Sequence, residues 1–211
     1  MKRCVIVGGG EVKDLAYARQ LIKEDDFIIA ADRGYERCAA MQVKPLLLLG
    51  DFDSFTDTLP GDCPILTYPV EKDDTDTMLA LKEAIERGFT ELLLLGMCGG
   101  RIDHSIANIQ ALVYAAQRGV KARIMDEDVL ITVLCDGEST TIPYREGFVI
   151  SVFSYSPQCK GVTLRDLYYP LENGELDSSF PLGVSNHFLP EKDGFISIEE
   201  GTLLIISTRE Q

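Results

Sequence analysis

The chain has 211 residues, 45% hydrophobic and 26% charged, which is ample for one large domain or two small ones. Its 34 acidic against 20 basic residues give a formal charge of −14, which disfavours nucleic acid and anionic membranes as partners and favours cations. No stretch approaches the roughly 20 uncharged apolar residues that span a bilayer.

The opening run Met1-Lys2-Arg3-Cys4-Val5-Ile6-Val7 meets Gly8-Gly9-Gly10 at once. It reads as a first strand rather than a signal peptide, which makes the cytoplasm the expected compartment. Further strands are predicted at Phe27–Ala31, Pro45–Leu49, Ile65–Tyr68, Glu91–Leu95 and Ala122–Met125 after the first at Cys4–Val7, with helical segments near Lys13–Lys23, Tyr35–Met41, Thr75–Arg87 and Ile102–Arg118. In the last helix Ile102, Ile106, Ile109, Val113 and Ala116 recur at spacings of three and four, which predicts one apolar face. Near-continuous apolar strands alternating with helices imply an α/β domain, its parallel sheet covered on both faces.

After about residue 127 the helical period disappears. Short strands are predicted at Val129–Leu134, Ser139–Ile142, Phe148–Phe153, Gly161–Leu164, Val184–Phe188, Phe195–Ile198 and Thr202–Ile206. Turn-rich text separates them, such as Asp136-Gly137, Glu172-Asn173-Gly174 and Lys192-Asp193-Gly194. The second half therefore reads as an antiparallel sandwich or barrel, with the domains taken as 1–127 and 128–211. The six cysteines are scattered without a Cys-x-x-Cys pair, so they read as structural thiols rather than zinc ligands or disulfides.

Three segments carry chemistry. Leu46–Leu49 runs into Gly50-Asp51-Phe52-Asp53-Ser54, so two carboxylates emerge at a strand end, where open parallel sheets bind ligands and where a hard cation such as Mg²⁺ finds oxygen donors. Lys72-Asp73-Asp74-Thr75-Asp76-Thr77 precedes the apolar spacing of Met78, Leu81 and Ile85. Helix capping by Asp73 or Asp74 explains part of it. Yet residues 51–76 hold eight acids against one Lys, a cluster that repels itself unless a cation neutralises it. Third, Gly96-Met97-Cys98-Gly99-Gly100-Arg101 leads into a helix; glycines at a helix N-terminus can close around an anion, and Arg101 adds a two-donor fork for phosphate. The bland alternative there is a glycine-rich turn with Asp103 as N-cap and His104 exposed. Gly8-Gly9-Gly10 is a weaker phosphate cradle of the same kind.

In this order the motifs resemble the thiamine pyrophosphokinase family. The resemblance rests on Gly50-Asp51-Phe52-Asp53-Ser54, Asp73-Asp74-Thr75-Asp76 and Gly99-Gly100-Arg101-Ile102-Asp103-His104, and in the second half on Gly161-Val162-Thr163-Leu164, Tyr169-Pro170-Leu171-Glu172-Asn173 and Gly183-Val184-Ser185-Asn186. Asp32-Arg33-Gly34 also fits, with Arg33 standing where the family commonly has Gly. The resemblance implies an N-terminal Rossmann-like ATP-binding domain, a C-terminal β-sandwich that binds thiamine and dimerises, and a homodimer whose sites are shared between subunits. It implies Mg²⁺ on Asp51, Asp53 and Asp76, with Asp73 close by and Arg101 and Asp103 at the triphosphate loop. ATP contacts would come from Asp32, Gly34, Thr75, Gly99, Gly100 and Arg101, and thiamine contacts from Ser185 and Asn186. Without Trp in the chain, a stacking partner for the pyrimidine must be Tyr, Phe or His.

Three rivals share individual motifs. A haloacid-dehalogenase-type phosphatase uses an Asp-x-Asp after its first strand, whereas here it follows the third. A glycosyltransferase could hold a metal–nucleotide-sugar on the same pair, and a non-catalytic module could bind thiamine or nucleotide without turnover.

Overall fold

The computed structural model describes residues 3–50, 63–67 and 74–210, so Asp51, Asp53 and Asp73 lie outside the described residues. The chain divides into two compact units, Met1–Glu127 and Asp128–Gln211.

In the first unit the apolar runs become strands β1 (Arg3–Val7), β2 (Phe27–Ala31), β3 (Leu47–Gly50), β4 (Ile65–Thr67), β5 (Glu91–Leu95) and β6 (Lys121–Asp126). Every pairing among them is parallel, in the order β4-β3-β2-β1-β5-β6. The central strands β1, β2 and β5 are buried along almost their whole length, as a sheet covered on both faces requires. Helices α1 (Leu15–Leu21), α2 (Gly34–Ala40), α3 (Asp76–Glu86) and α4 (Ile102–Ala116) make the crossovers. From β1 the chain works outward through β2, β3 and β4; α3 then returns it to the other side of β1, where β5 pairs. Strand order reverses between β1 and β5, and a crevice opens beyond carboxyl ends at such a switch.

Several helix details differ from expectation. Of the predicted face of α4, Val113 is buried but Ile102 and Ile106 are 77% and 54% exposed; the other buried residues are Asn108, Ala111, Leu112 and Ala115. The N-cap of α3 is Thr75, whose hydroxyl accepts the Met78 N–H at 3.2 Å, rather than Asp73 or Asp74. The N-cap of α4 is Arg101, and Asp103 sits inside the first turn. Among the described residues no helix is long and apolar enough to cross a membrane.

The second unit contains β7 (Val129–Leu134), β8 (Ser139–Ile142), β9 (Phe148–Ser154), β10 (Gln158–Arg165), β11 (Leu171–Asp177), β12 (Gly183–His187), β13 (Gly194–Ser197) and β14 (Leu203–Arg209). They pair antiparallel as β12-β9-β14-β7 and β11-β10-β13-β8, a two-sheet sandwich. Ile150, Val152, Leu203 and Ile205 of one sheet and Val162, Leu164 and Ile196 of the other are buried. Alternate residues of each sheet thus fill the core. β11 is a correction: Glu172-Asn173-Gly174, read as a turn, lies inside this strand. Asn173 takes a left-handed φ of 49° there and the register against β10 shifts, so turn chemistry makes a bulge instead of ending the strand.

Candidate active site

A cleft of about 700 Å³ lies beyond the carboxyl ends of β1, β2 and β5. Its floor is main chain. The Gly8 N–H donates to Leu95 O (2.9 Å) and the Gly10 N–H to Gly96 O (3.0 Å), lacing the turn after β1 to the turn after β5. A Cβ on Gly10 would stand 2.4 Å from Gly96 O, so only glycine permits that approach. Gly96 itself turns with φ 65°, in the left-handed region.

Side chains fix this turn from two directions. Asn108, buried in α4, donates its amide to Met97 O at 2.8 Å. Asp126, at the end of β6, accepts the Gly96 N–H at 3.1 Å. Burial pushes the Asp126 carboxyl up to about 6, while N–H groups from Gly96 and Met97 pull the other way without offsetting it. The sequence pattern does not single out either residue.

Of the residues the sequence points to, Asp32, Thr75, Asp76, Gly99 and Arg101 converge on this cleft. Asp32 ends β2 with φ 47°, a left-handed conformation that Asp tolerates better than most residues. Its N–H donates to Leu49 O at 2.7 Å, which brings the end of β3 alongside. His104 is exposed as expected and also lines the cleft. Gly34, Gly100 and Asp103 stand outside the lining. Gly34 is buried against β1 and serves packing.

Arg101 forks onto Asp103, with Nε–Oδ1 at 3.1 Å and Nη2–Oδ2 at 2.6 Å. This fork holds the Asp103 carboxyl below the usual carboxylate range. Both groups are exposed, so water screens the pair and the guanidinium can exchange partners at small cost. Of the acid cluster, Asp74 pairs with Lys82 at 2.7 Å. Among the described residues no three of His, Cys, Asp and Glu converge as a metal-binding group.

In the second unit Ser185 adopts φ 56° within a register shift of β12 against β9, and its N–H donates to Ser151 Oγ at 3.0 Å. Bulges of this kind re-aim side chains near functional sites. Asn186 is buried, and both ends of its amide hold the backbone of Tyr169: Oδ1 accepts the N–H at 2.9 Å and Nδ2 donates to the carbonyl at 2.7 Å. Asn186 therefore shapes the ledge that carries Tyr168 and Tyr169. Their rings meet edge to face at 4.9 Å and are 63% and 61% exposed.

Comparisons with known proteins identify the family and the fold. A family model described as "Thiamin pyrophosphokinase, catalytic domain" matches residues 18–124, and one described as "Thiamin pyrophosphokinase, vitamin B1 binding domain" matches 139–203. The curated thiamine pyrophosphokinase of Bacillus subtilis (strain 168) is 29% identical over 215 residues, covering 100% of both chains. The solved structure of thiamine pyrophosphokinase from Bacillus subtilis superposes with a TM-score of 0.88 at 26% identity over 100% of both chains. That of thiamin pyrophosphokinase from Geobacillus thermodenitrificans gives 0.83 at 29% over 99% of this chain and 98% of that one. Yeast thiamin pyrophosphokinase shares the fold, with a TM-score of 0.73 at 16% identity over 98% and 86% of the two chains. The chain belongs to the thiamin pyrophosphokinase family.

Proposed function

We propose that the protein transfers the diphosphate group of ATP to the hydroxyl of thiamine, giving thiamine diphosphate and AMP. The observation that carries this reading is the glycine-floored cleft at the β1/β5 switch point of a chain whose two halves match the two domains of one family. The hydroxyl oxygen of thiamine forms a bond to the β-phosphorus of ATP. The bond from that phosphorus to the α,β-bridging oxygen breaks, and the bridging oxygen leaves with AMP. The hydroxyl proton passes to a carboxylate, Asp73 or Asp103. Such a transfer asks the protein mainly for positioning and charge neutralisation.

In this reading Asp32, Gly34, Thr75, Gly99, Gly100 and Arg101 serve ATP. Gly34 acts through the packing beneath the loops, and Arg101 exchanges Asp103 for phosphate, which frees that carboxylate to take a proton. A carboxylate donor set suits a hard cation, and Asp76 supplies one such group in the cleft. Asp51, Asp53 and Asp76 would hold Mg²⁺, which supplies charge neutralisation on the phosphate oxygens when bound. The cytoplasm is the proposed compartment. Incubating the protein with ATP, Mg²⁺ and thiamine and weighing the products is the test: AMP with thiamine diphosphate supports the reading, and ADP with thiamine monophosphate overturns it. An aspartyl-phosphate on Asp51 would favour the phosphatase rival, which the family match disfavours.

A homodimer with shared sites completes the proposal. It is supported by Tyr169, Phe180, Leu182 and Val184 of the second unit, large apolar side chains left exposed. Asp53→Asn and Asn186→Ala are each expected to be nearly inactive alone. Refolded together, random pairing makes about half the dimers mixed, each with one good site of two, so activity returns to about a quarter of wild type. No gain over separately refolded controls, with mixed dimers verified by tags of different size, rejects the shared site.

A further inference from the structure

We infer that Asp126 is the positioning residue of the phosphate loop: its carboxylate, buried at the end of β6, holds the N–H groups of Gly96 and Met97 and so sets the path of the glycines that follow. The inference deepens the proposed ATP reading of the cleft and rests on it.

The hydrogen bonds of this turn divide cleanly by side. Its carbonyls are held by neutral donors, Gly96 O by the Gly10 N–H at 3.0 Å and Met97 O by the Asn108 amide at 2.8 Å. Its N–H groups point the other way, that of Gly96 reaching Asp126 Oδ1 at 3.1 Å, with that of Met97 donating to the same carboxylate. Successive N–H groups that converge on one anion form a nest. Here the protein fills the first nest with its own carboxylate. Gly99, with Arg101 beside it, is left facing the cleft for an external anion. Gly96, at φ 65°, has conformational freedom that something must remove, and Asp126 removes it.

A purely structural role would need no charge. Burial works against the ionised carboxylate, whose proton affinity is raised to a pKa of about 6. The native state therefore binds this proton more tightly than the unfolded chain does. Its contribution to stability is fully present below the ordinary carboxylate range and is lost as pH rises through about 6. At neutral pH the charged group opposes folding while the loop uses it.

Few charged groups face Asp126. Cys98, on the same turn, feels its field; burial and Asp126 push that thiol up to about 11, so it stays neutral throughout. On β5, Glu91 lies at the far end and faces Arg123 at 3.3 Å. The charged residues of α4 and its flanks, Arg101, Asp103, His104 and Arg118, lie at the two ends of that helix.

The test is Asp126→Asn. Asn keeps the shape and can accept the Gly96 N–H, but it turns an amide donor toward the Met97 N–H. The loss is expected in KM for ATP rather than kcat, at roughly tenfold, the factor that one impaired buried hydrogen bond represents. The melting temperature of the variant at neutral pH should equal or exceed that of wild type. As pH falls from about 7.5 to 5.5, KM for ATP should climb in wild type more than in the variant, since the two differ only at residue 126. The Gly96 and Met97 amide resonances of wild type should shift with a common midpoint near 6 and lose that midpoint in the variant. A KM within twofold of wild type, amides that do not titrate, or a variant that fails to fold would each overturn the inference. If wild type forms no thiamine diphosphate at all, the parent reading falls. The amide titration and calorimetric binding of a non-hydrolysable ATP analogue then still decide the role of Asp126.

Discussion

Asp53→Asn is expected to lower kcat by more than about a hundredfold, the loss typical when one electrostatic stabiliser of a transition state is removed. The change keeps the shape of the side chain and removes one negative charge. Sequence places Asp53 in a span of eight acids and one Lys, in which Asp74 pairs with Lys82 from the following helix. Removing a charge from such a cluster relieves repulsion, so stability is expected to hold within about 0.5 kcal/mol. The Mg²⁺ concentration for half-maximal rate should rise together with the fall in kcat. Retention of more than a tenth of wild-type kcat by both Asp51→Asn and Asp53→Asn sinks the metal assignment.

Gly34→Ala is expected to be the most damaging single methyl group in the first unit. A Cβ there would lie 1.9 Å from Val7 O and 2.7 Å from Val7 C. Both are backbone atoms of β1, in the middle of the sheet, so no rotamer change relieves the contact. Either α2 must slide or the turn after β1 must move, which costs about 3 kcal/mol, the upper range for overpacking. In a chain of this size the melting temperature should fall by roughly 10 °C. ATP affinity should weaken as well, because Gly8–Gly10 floors the cleft and is laced to Gly96. Gly99→Ala is the control: nothing lies within 4 Å of its Cβ position, so only the strain of its φ of 91° is paid. Calorimetric melting of the two variants decides; a loss at Gly34 no greater than that at Gly99 would mean that the close approach to Val7 is relieved at little cost.

Much of the fold was legible because parallel strands buried on both faces leave dense apolar runs. Phe27–Ala31 and Glu91–Leu95 emerge with the predicted bounds, and Val129–Leu134 and Ser139–Ile142 do so in the second unit. The buried face of α4 was not legible, because it is built on small and polar residues such as Ala111 and Asn108 while Ile102 and Ile106 point to solvent. β11 was hidden because Glu172-Asn173-Gly174 is turn chemistry used for a bulge. In the site, residues on strand-end motifs could be found, since their position in the chain fixes their position in the sheet. Asp126 and the Asn186–Tyr169 clamp act through pairings 30 and 17 residues apart, a separation no local motif encodes.

The glycine floor of the cleft also limits how such an enzyme can change over generations. A Cβ on Gly10 would stand 2.4 Å from the backbone oxygen of Gly96, so that position admits no side chain through which a ligand could be read, whereas one on Gly8 meets chiefly the flexible end of Met97. Side chains through which a ligand could be read stand instead around that floor, at positions such as Arg33, Thr77 and His104. A lineage drifting toward another nucleotide would thus keep its floor and rewrite its rim.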